Sequence, residues 1–110
     1  MKITDLKSGA FLVLAVEGRL DTLTAPEFEA EGLRRAQAGE ARLVLDLAGV
    51  DYISSAGLRG ILAVAKRLKA KGGDLAVCGL RGIVAEVFTV SGFAKILPVF
   101  ATREDALDRE

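Results

Sequence analysis

Three stretches of this chain are apolar almost without interruption: residues 11–16 (Phe-Leu-Val-Leu-Ala-Val), 42–47 (Arg-Leu-Val-Leu-Asp-Leu) and 74–78 (Asp-Leu-Ala-Val-Cys). Short runs with no polar alternation mark strands covered on both faces. Between them lie segments of helical period. Leu58, Ile61, Leu62, Ala65 and Leu68 recur at three- and four-residue spacing, and Gly72-Gly73 closes that helix. Thr24-Ala25-Pro26-Glu27 reads as an earlier helix start, with Thr24 as cap, Pro26 in the first turn and Glu27 completing a capping box. This helix is expected to run to about Gln37 and stop at Gly39, with Gly32 marking close packing. Arg81–Val90 reads as a short helix with Ile83, Val87 and Phe88 on its inner side, ended by Ser91-Gly92.

The remaining segments complete the pattern. Lys2–Leu6 alternates and ends at Ser8-Gly9, as an edge strand turning into the next strand would. Ile96–Phe100 reads as a last strand, which Pro98 confines to an edge. Thr102-Arg103-Glu104-Asp105 opens a terminal helix with a second capping-box pattern. Gly18–Asp21 and Ala48–Ile53 read as loops. The expected order is β-β-α-β-α-β-α-β-α in one domain, residues 1–110, around a largely parallel sheet with right-handed crossovers.

Composition narrows the function. Apolar residues make up 51% of the chain, yet aromatics are only five Phe and one Tyr, so the core is aliphatic. Fifteen basic residues balance fifteen acidic ones. That balance argues against nucleic-acid binding, which draws its affinity from phosphate neutralisation. The basic stretch Lys66, Arg67, Lys69, Lys71 falls in a last helical turn, where it complements the helix dipole. Histidine is absent, which removes the usual activator of Ser and Cys nucleophiles and the commonest metal ligand. With a single cysteine, Cys78, no metal site and no internal disulfide is expected. Cys78 lies inside an apolar strand and reads as a small, inert hydrophobe. No apolar stretch is long enough for a membrane span, and the first residues lack the apolar run of a signal peptide. The expectation is a cytoplasmic protein without membrane insertion.

Chemistry concentrates at Ser54-Ser55, between an apolar strand and the amphipathic helix. The first N–H groups of a helix lack internal partners and carry partial positive charge. A serine there caps the helix, and a phosphoserine there meets free donors and a favourable dipole. The pattern alone allows both readings. Arg59, in the first turn, opposes the dipole; it either pairs with a phosphate or an acidic partner, or is simply exposed. Gly57-Leu58-Arg59-Gly60 is no phosphate loop, because no Gly-Lys-Ser/Thr follows it, and Gly79-Leu80-Arg81-Gly82 lacks the third glycine of a dinucleotide turn.

Val50-Asp51-Tyr52-Ile53-Ser54-Ser55-Ala56-Gly57-Leu58 resembles the segment of the STAS anti-sigma factor antagonists that carries their phosphorylated serine. Leu45–Val50 is similar to the strand and loop that precede it. Gly18-Arg19-Leu20-Asp21, Thr24-Ala25, Gly72-Gly73 and Ser91–Ile96 match further family elements in order, over nearly the whole chain. The resemblance implies the STAS fold, a small mixed, mostly parallel sheet with helices packed mainly on one side. It places Ser55 at the phosphoacceptor position, Ser54 where the sporulation antagonists often carry aspartate, and Ala56 where a small hydroxyl residue is common. Asp21 would lie near Ser55 as a partner contact or serve as a loop cap. Ser54, Ser55, Ala56, Gly57, Arg59 and Asp21 form the expected binding surface.

In such a family the unphosphorylated antagonist binds an anti-sigma factor that is also a serine kinase. The kinase releases it by phosphorylation, and a serine phosphatase restores it. The antagonist itself performs no catalysis, needs no cofactor, and is a monomer or weak dimer. A STAS subunit of another assembly, such as a lipid-transport complex or a sensory scaffold, is the alternative. A nucleotide-binding domain is the remote one.

Overall fold

The computed structural model describes residues 1–108. Five strands, β1 (Lys2–Ser8), β2 (Phe11–Leu20), β3 (Arg42–Ile53), β4 (Asp74–Cys78) and β5 (Val99–Phe100), lie side by side in chain order. β1 runs antiparallel to β2, and every other neighbouring pair is parallel. Helices α1 (Ala25–Gln37), α2 (Ser55–Ala70) and α3 (Gly82–Ser91) cover one face of the sheet. The short α4 (Arg103–Leu107) covers part of the other, where Ala106 packs with Phe11, Val13, Val44 and Cys78. The expected mixed, mostly parallel sheet with helices mainly on one side is the observed fold.

The apolar runs supply the strands for the expected reason. Leu12, Leu14, Val16, Leu43, Leu45, Leu75 and Val77 meet α1, α2 and α3, while Phe11, Val13, Val44 and Cys78 face α4. Gly32 allows α1 and α2 to approach, since a Cβ there would come within 2.6 Å of a Val64 methyl.

Several local expectations are corrected. The two presumed loops are strand except at Asp21, which stays in the turn: β2 continues to Leu20 and β3 to Ile53. Opposite Val16 stand two residues of β3, Leu47 and Ala48, and Asp51 is a further extra residue. These bulges change the rhythm of β3, so that Leu47, Val50 and Ile53 are buried at three-residue spacing with exposed pairs between them. Thr24 does not cap α1 with its side chain. Instead the Asp21 carboxylate accepts the Leu23 and Thr24 N–H groups, each at 3.1 Å.

On α3 the inner positions are Val84 and Phe88, whereas Ile83 is 56% exposed. On α2, Leu62 is only half-buried and Val64 is fully buried. The last strand shrinks to Val99–Phe100 after a 3-10 turn at Phe93–Lys95.

Candidate functional site

At the C-terminal ends of parallel strands, backbone groups and loops converge, and sites form there in open α/β sheets. Here that end brings together the β2–α1 turn and the start of α2. The Ser54 N–H donates to the Leu20 carbonyl at 3.0 Å, which joins the two segments. Ser54 is extended and caps α2: its Oγ accepts the Gly57 N–H at 3.2 Å. Such a cap contributes about 1 kcal/mol.

Ser55 is the first helical residue and is exposed. Its hydroxyl has no hydrogen-bond partner among the described residues. Neither do the N–H groups of Ser55 and Ala56, while the next two N–H groups go to Ser54. Two free donors and the positive end of a four-turn helix therefore surround an unused hydroxyl.

The other expected residues divide. Ala56 and Arg59 line a cleft of about 320 Å³ with Thr22, Ala25, Pro26 and Glu29, between the first turns of α1 and α2. Arg59 is exposed and makes no ion pair among the described residues. Gly57, expected on the binding surface, is buried instead: a Cβ there would stand 2.6 Å from the Leu20 carbonyl oxygen. Its role is to let α2 seat on the end of β2, beneath the surface that Ser55 and Ala56 form.

Asp21 is one residue from the Leu20–Ser54 junction. The Thr24 N–H, helped by the Thr24 hydroxyl, the Leu23 N–H and Arg19 against the cost of desolvation, holds its carboxyl below the usual carboxylate range. Asp21 is thus both the turn's cap and a fixed negative charge at the rim.

Sequence reasoning missed three residues at this end. Leu23 is 88% exposed at the tip of the β2–α1 turn, an apolar side chain set among Asp21, Thr22 and Thr24. Its signal was that polar setting. Tyr52, the only tyrosine, is partly exposed, and the Arg19 guanidinium stacks over its ring at 4.1 Å. Arg19 also reaches Asp21, with Nε at 3.4 Å from Oδ2. Arg19 and Tyr52 are cross-strand partners in register, a relation hidden while both segments read as loops.

Cys78 is the last residue of β4. It is buried, and burial together with the Asp46 carboxylate pushes its thiol up to about 11. That is the opposite of an activated nucleophile.

The comparisons with known proteins agree with this architecture. The STAS domain family matches residues 2–106. BtrV of Bordetella bronchiseptica, described as an anti-sigma factor antagonist, is 45% identical over 106 residues, covering 96% of this chain and 91% of BtrV. The anti-sigma F factor antagonist of Paenibacillus polymyxa is 31% identical over 99 residues, 87% of this chain and 83% of its own length. A crystal structure of an anti-sigma factor antagonist from Mycobacterium paratuberculosis superposes with a TM-score of 0.87 at 27% identity, covering 96% of this chain and 90% of that one.

Proposed function

The chain belongs to the STAS domain family, and from that premise we propose that it is an anti-sigma factor antagonist switched by phosphorylation at Ser55. The observation that carries this reading is the division of labour between the two serines. Ser54 holds the helix, and Ser55 offers a free, exposed hydroxyl beside it. In this reading the unphosphorylated chain binds an anti-sigma factor that is also a serine kinase, through Ser55, Ala56, Arg59 and the Asp21 turn. Phosphorylation releases it, and a serine phosphatase resets it in the cytoplasm.

The chain performs no catalysis in this scheme. It has no histidine, its Ser54 hydroxyl is engaged by a backbone N–H, and its one thiol is buried with a raised pKa.

The energetics separate fold from interface. Within the chain, a phosphate of charge about −1.5 to −2 meets the free N–H groups and the helix dipole, so the fold tolerates it. Across an interface fitted to a neutral hydroxyl, desolvating that dianion costs several kcal/mol. A loss of about 3 kcal/mol is roughly a hundredfold in affinity.

Titration of the anti-sigma factor with each variant tests this, together with mass spectrometry of the kinase reaction. Ser55→Ala is expected to bind and escape phosphorylation. Ser55→Glu is expected to keep its circular dichroism spectrum and bind about a hundredfold more weakly. Phosphate on Ser54 alone, or tight binding by the phosphorylated chain, would overturn the proposal.

A further inference from the structure

Asp46 is the one buried charged residue among the described residues, 9% exposed, and it stands where β3 parts from β4. Its last β4 partner is Cys78; beyond it β3 continues against β2 alone, through the Leu47–Ala48 bulge. The bulge leaves Ala48 without ladder partners, and side chains take their place. Asp46 Oδ1 accepts the Ala48 N–H at 3.0 Å, and Arg81 Nε, from the residue that precedes α3, donates to the Ala48 carbonyl at 2.6 Å. The other carboxylate oxygen, Oδ2, accepts from Nε of Arg103 at 3.0 Å, across 57 positions of sequence, and Nη2 of the same guanidinium completes an ion pair with it at 3.0 Å. Arg103 is the first residue of α4.

We propose that Asp46, Arg81 and Arg103 are positioning residues that pin the β3 bulge and so set how Ser54 and Ser55 are presented, tying the docking of α4 to the switch end of the sheet. The reason is geometric. Side chains alternate along a strand, so a one-residue slip turns every later residue to the opposite face. From Ala48 the chain has six residues to reach Ser54. The Leu47–Ala48 bulge decides that Val50 points inward, and together with the further extra residue at Asp51 downstream of it sets Tyr52 outward, Ile53 inward and Ser54 at the Leu20 carbonyl as a cap. A carboxylate holding Ala48 by one oxygen and α4 by the other links the two events. Among the described residues, Asp46 and Arg103 make no hydrogen bond or ion pair to the candidate binding surface, so their effect on it passes through the strand.

The inference rests on the proposed function only for its second readout. The first is amide hydrogen exchange of the free full chain, comparing Arg103→Gln, Arg103→Lys, Arg81→Gln and Asp46→Asn with wild type. The glutamine variants and Asp46→Asn are expected to speed exchange at residues 48–54 about tenfold beyond the change at α2 interior amides, the scale of one lost charge-assisted hydrogen bond. Arg103→Lys, which keeps the charge, should recover most of the protection. The second readout is kcat/KM for phosphorylation of Ser55 by the anti-sigma factor kinase, which should fall in the same order and be restored by the same lysine. A uniform rise in exchange that only follows global stability, or an unchanged 48–54 segment, would overturn the positioning role. Faster local exchange with unchanged Ser55 phosphorylation would overturn the coupling. If wild type itself is not phosphorylated, the functional reading fails while the exchange pattern still decides the role of the three residues.

Discussion

Ser54 and Ser55 differ by one position and by their whole physical setting. Ser54 is bound through its N–H to Leu20 and through its hydroxyl to Gly57, so it belongs to the fold. Three residues later, Gly57 is where α2 meets β2 backbone to backbone. Alanine there would push a methyl to 2.6 Å from the Leu20 carbonyl and about 3.0 Å from the Ile53 and Leu20 side chains. Gly57→Ala is expected to destabilise by about 1–3 kcal/mol, the usual cost of overpacking. Gly60, one turn on, is a contrast, since a Cβ there meets nothing closer than 3.6 Å. Gly60→Ala should therefore be neutral, or gain up to about 1 kcal/mol from helix propensity. Urea melts of both variants check the pair; equal effects would mean that α2 does not rest on Leu20.

The element that joins site to core is α2. Its buried side is Leu58, Ile61, Val64, Ala65 and Leu68, with Leu62 turned to the margin beside the exposed Arg59 and Lys66. Ile61→Ala is expected to cost about 2–5 kcal/mol, as large-to-small core changes do. Leu62→Ala should cost clearly less, because part of its surface stays in water. Denaturant midpoints rank the two, and the reverse order would mean that the helix is rotated. On α3 a similar rotation places Val84 and Phe88 inside and leaves Ile83 and Val90 exposed. That helix is apolar nearly all round, so its period carried too little contrast to choose a face.

For the molecule as a whole, the two sheet faces differ in what covers them, and the thinner cover lies over Cys78. Its thiol titrates near 11 when folded, against an ordinary value of 9.0. Between these values the unfolded chain releases a proton that the folded chain keeps. Stability that is complete below about pH 9 should thus be lost as the pH rises toward 11. Cys78→Ala is expected to flatten this alkaline fall, seen by comparing denaturant midpoints at about pH 8 and about pH 10.5. An identical fall in the variant would assign it to other groups. At the acid end the carboxyls of Asp5, Asp21 and Glu31 are held below their ordinary values. For Asp5 the cause is foremost its hydrogen bond with Arg35; for Asp21 it is the Thr24 N–H. For Glu31 the hydrogen bonds of Arg34 and Arg35 outweigh the cost of burial. Their contribution is present above the ordinary carboxylate range and lost as the pH falls through their lowered values.

The amino-acid sequence alone determined the order of strands and helices, the aliphatic core and the serine pair at a helix start. These follow from local apolar runs, residue period and capping chemistry, which need no knowledge of neighbours. Tertiary structure decided the rest. Leu47, Val50 and Ile53 are buried every third residue because the β3 bulges insert residues that β2 lacks, and no strand or helix period announces that spacing. Thr24 stands at the N-cap of α1 without capping it, because its hydroxyl is engaged by the Asp21 N–H and the Arg19 carbonyl in the turn that precedes the helix. Gly57 went under the surface because α2 lands on the Leu20 carbonyl. Asp46 met Arg103 only because the sheet brings α4 back across it, and a contact between residues 57 positions apart leaves no local trace in either segment.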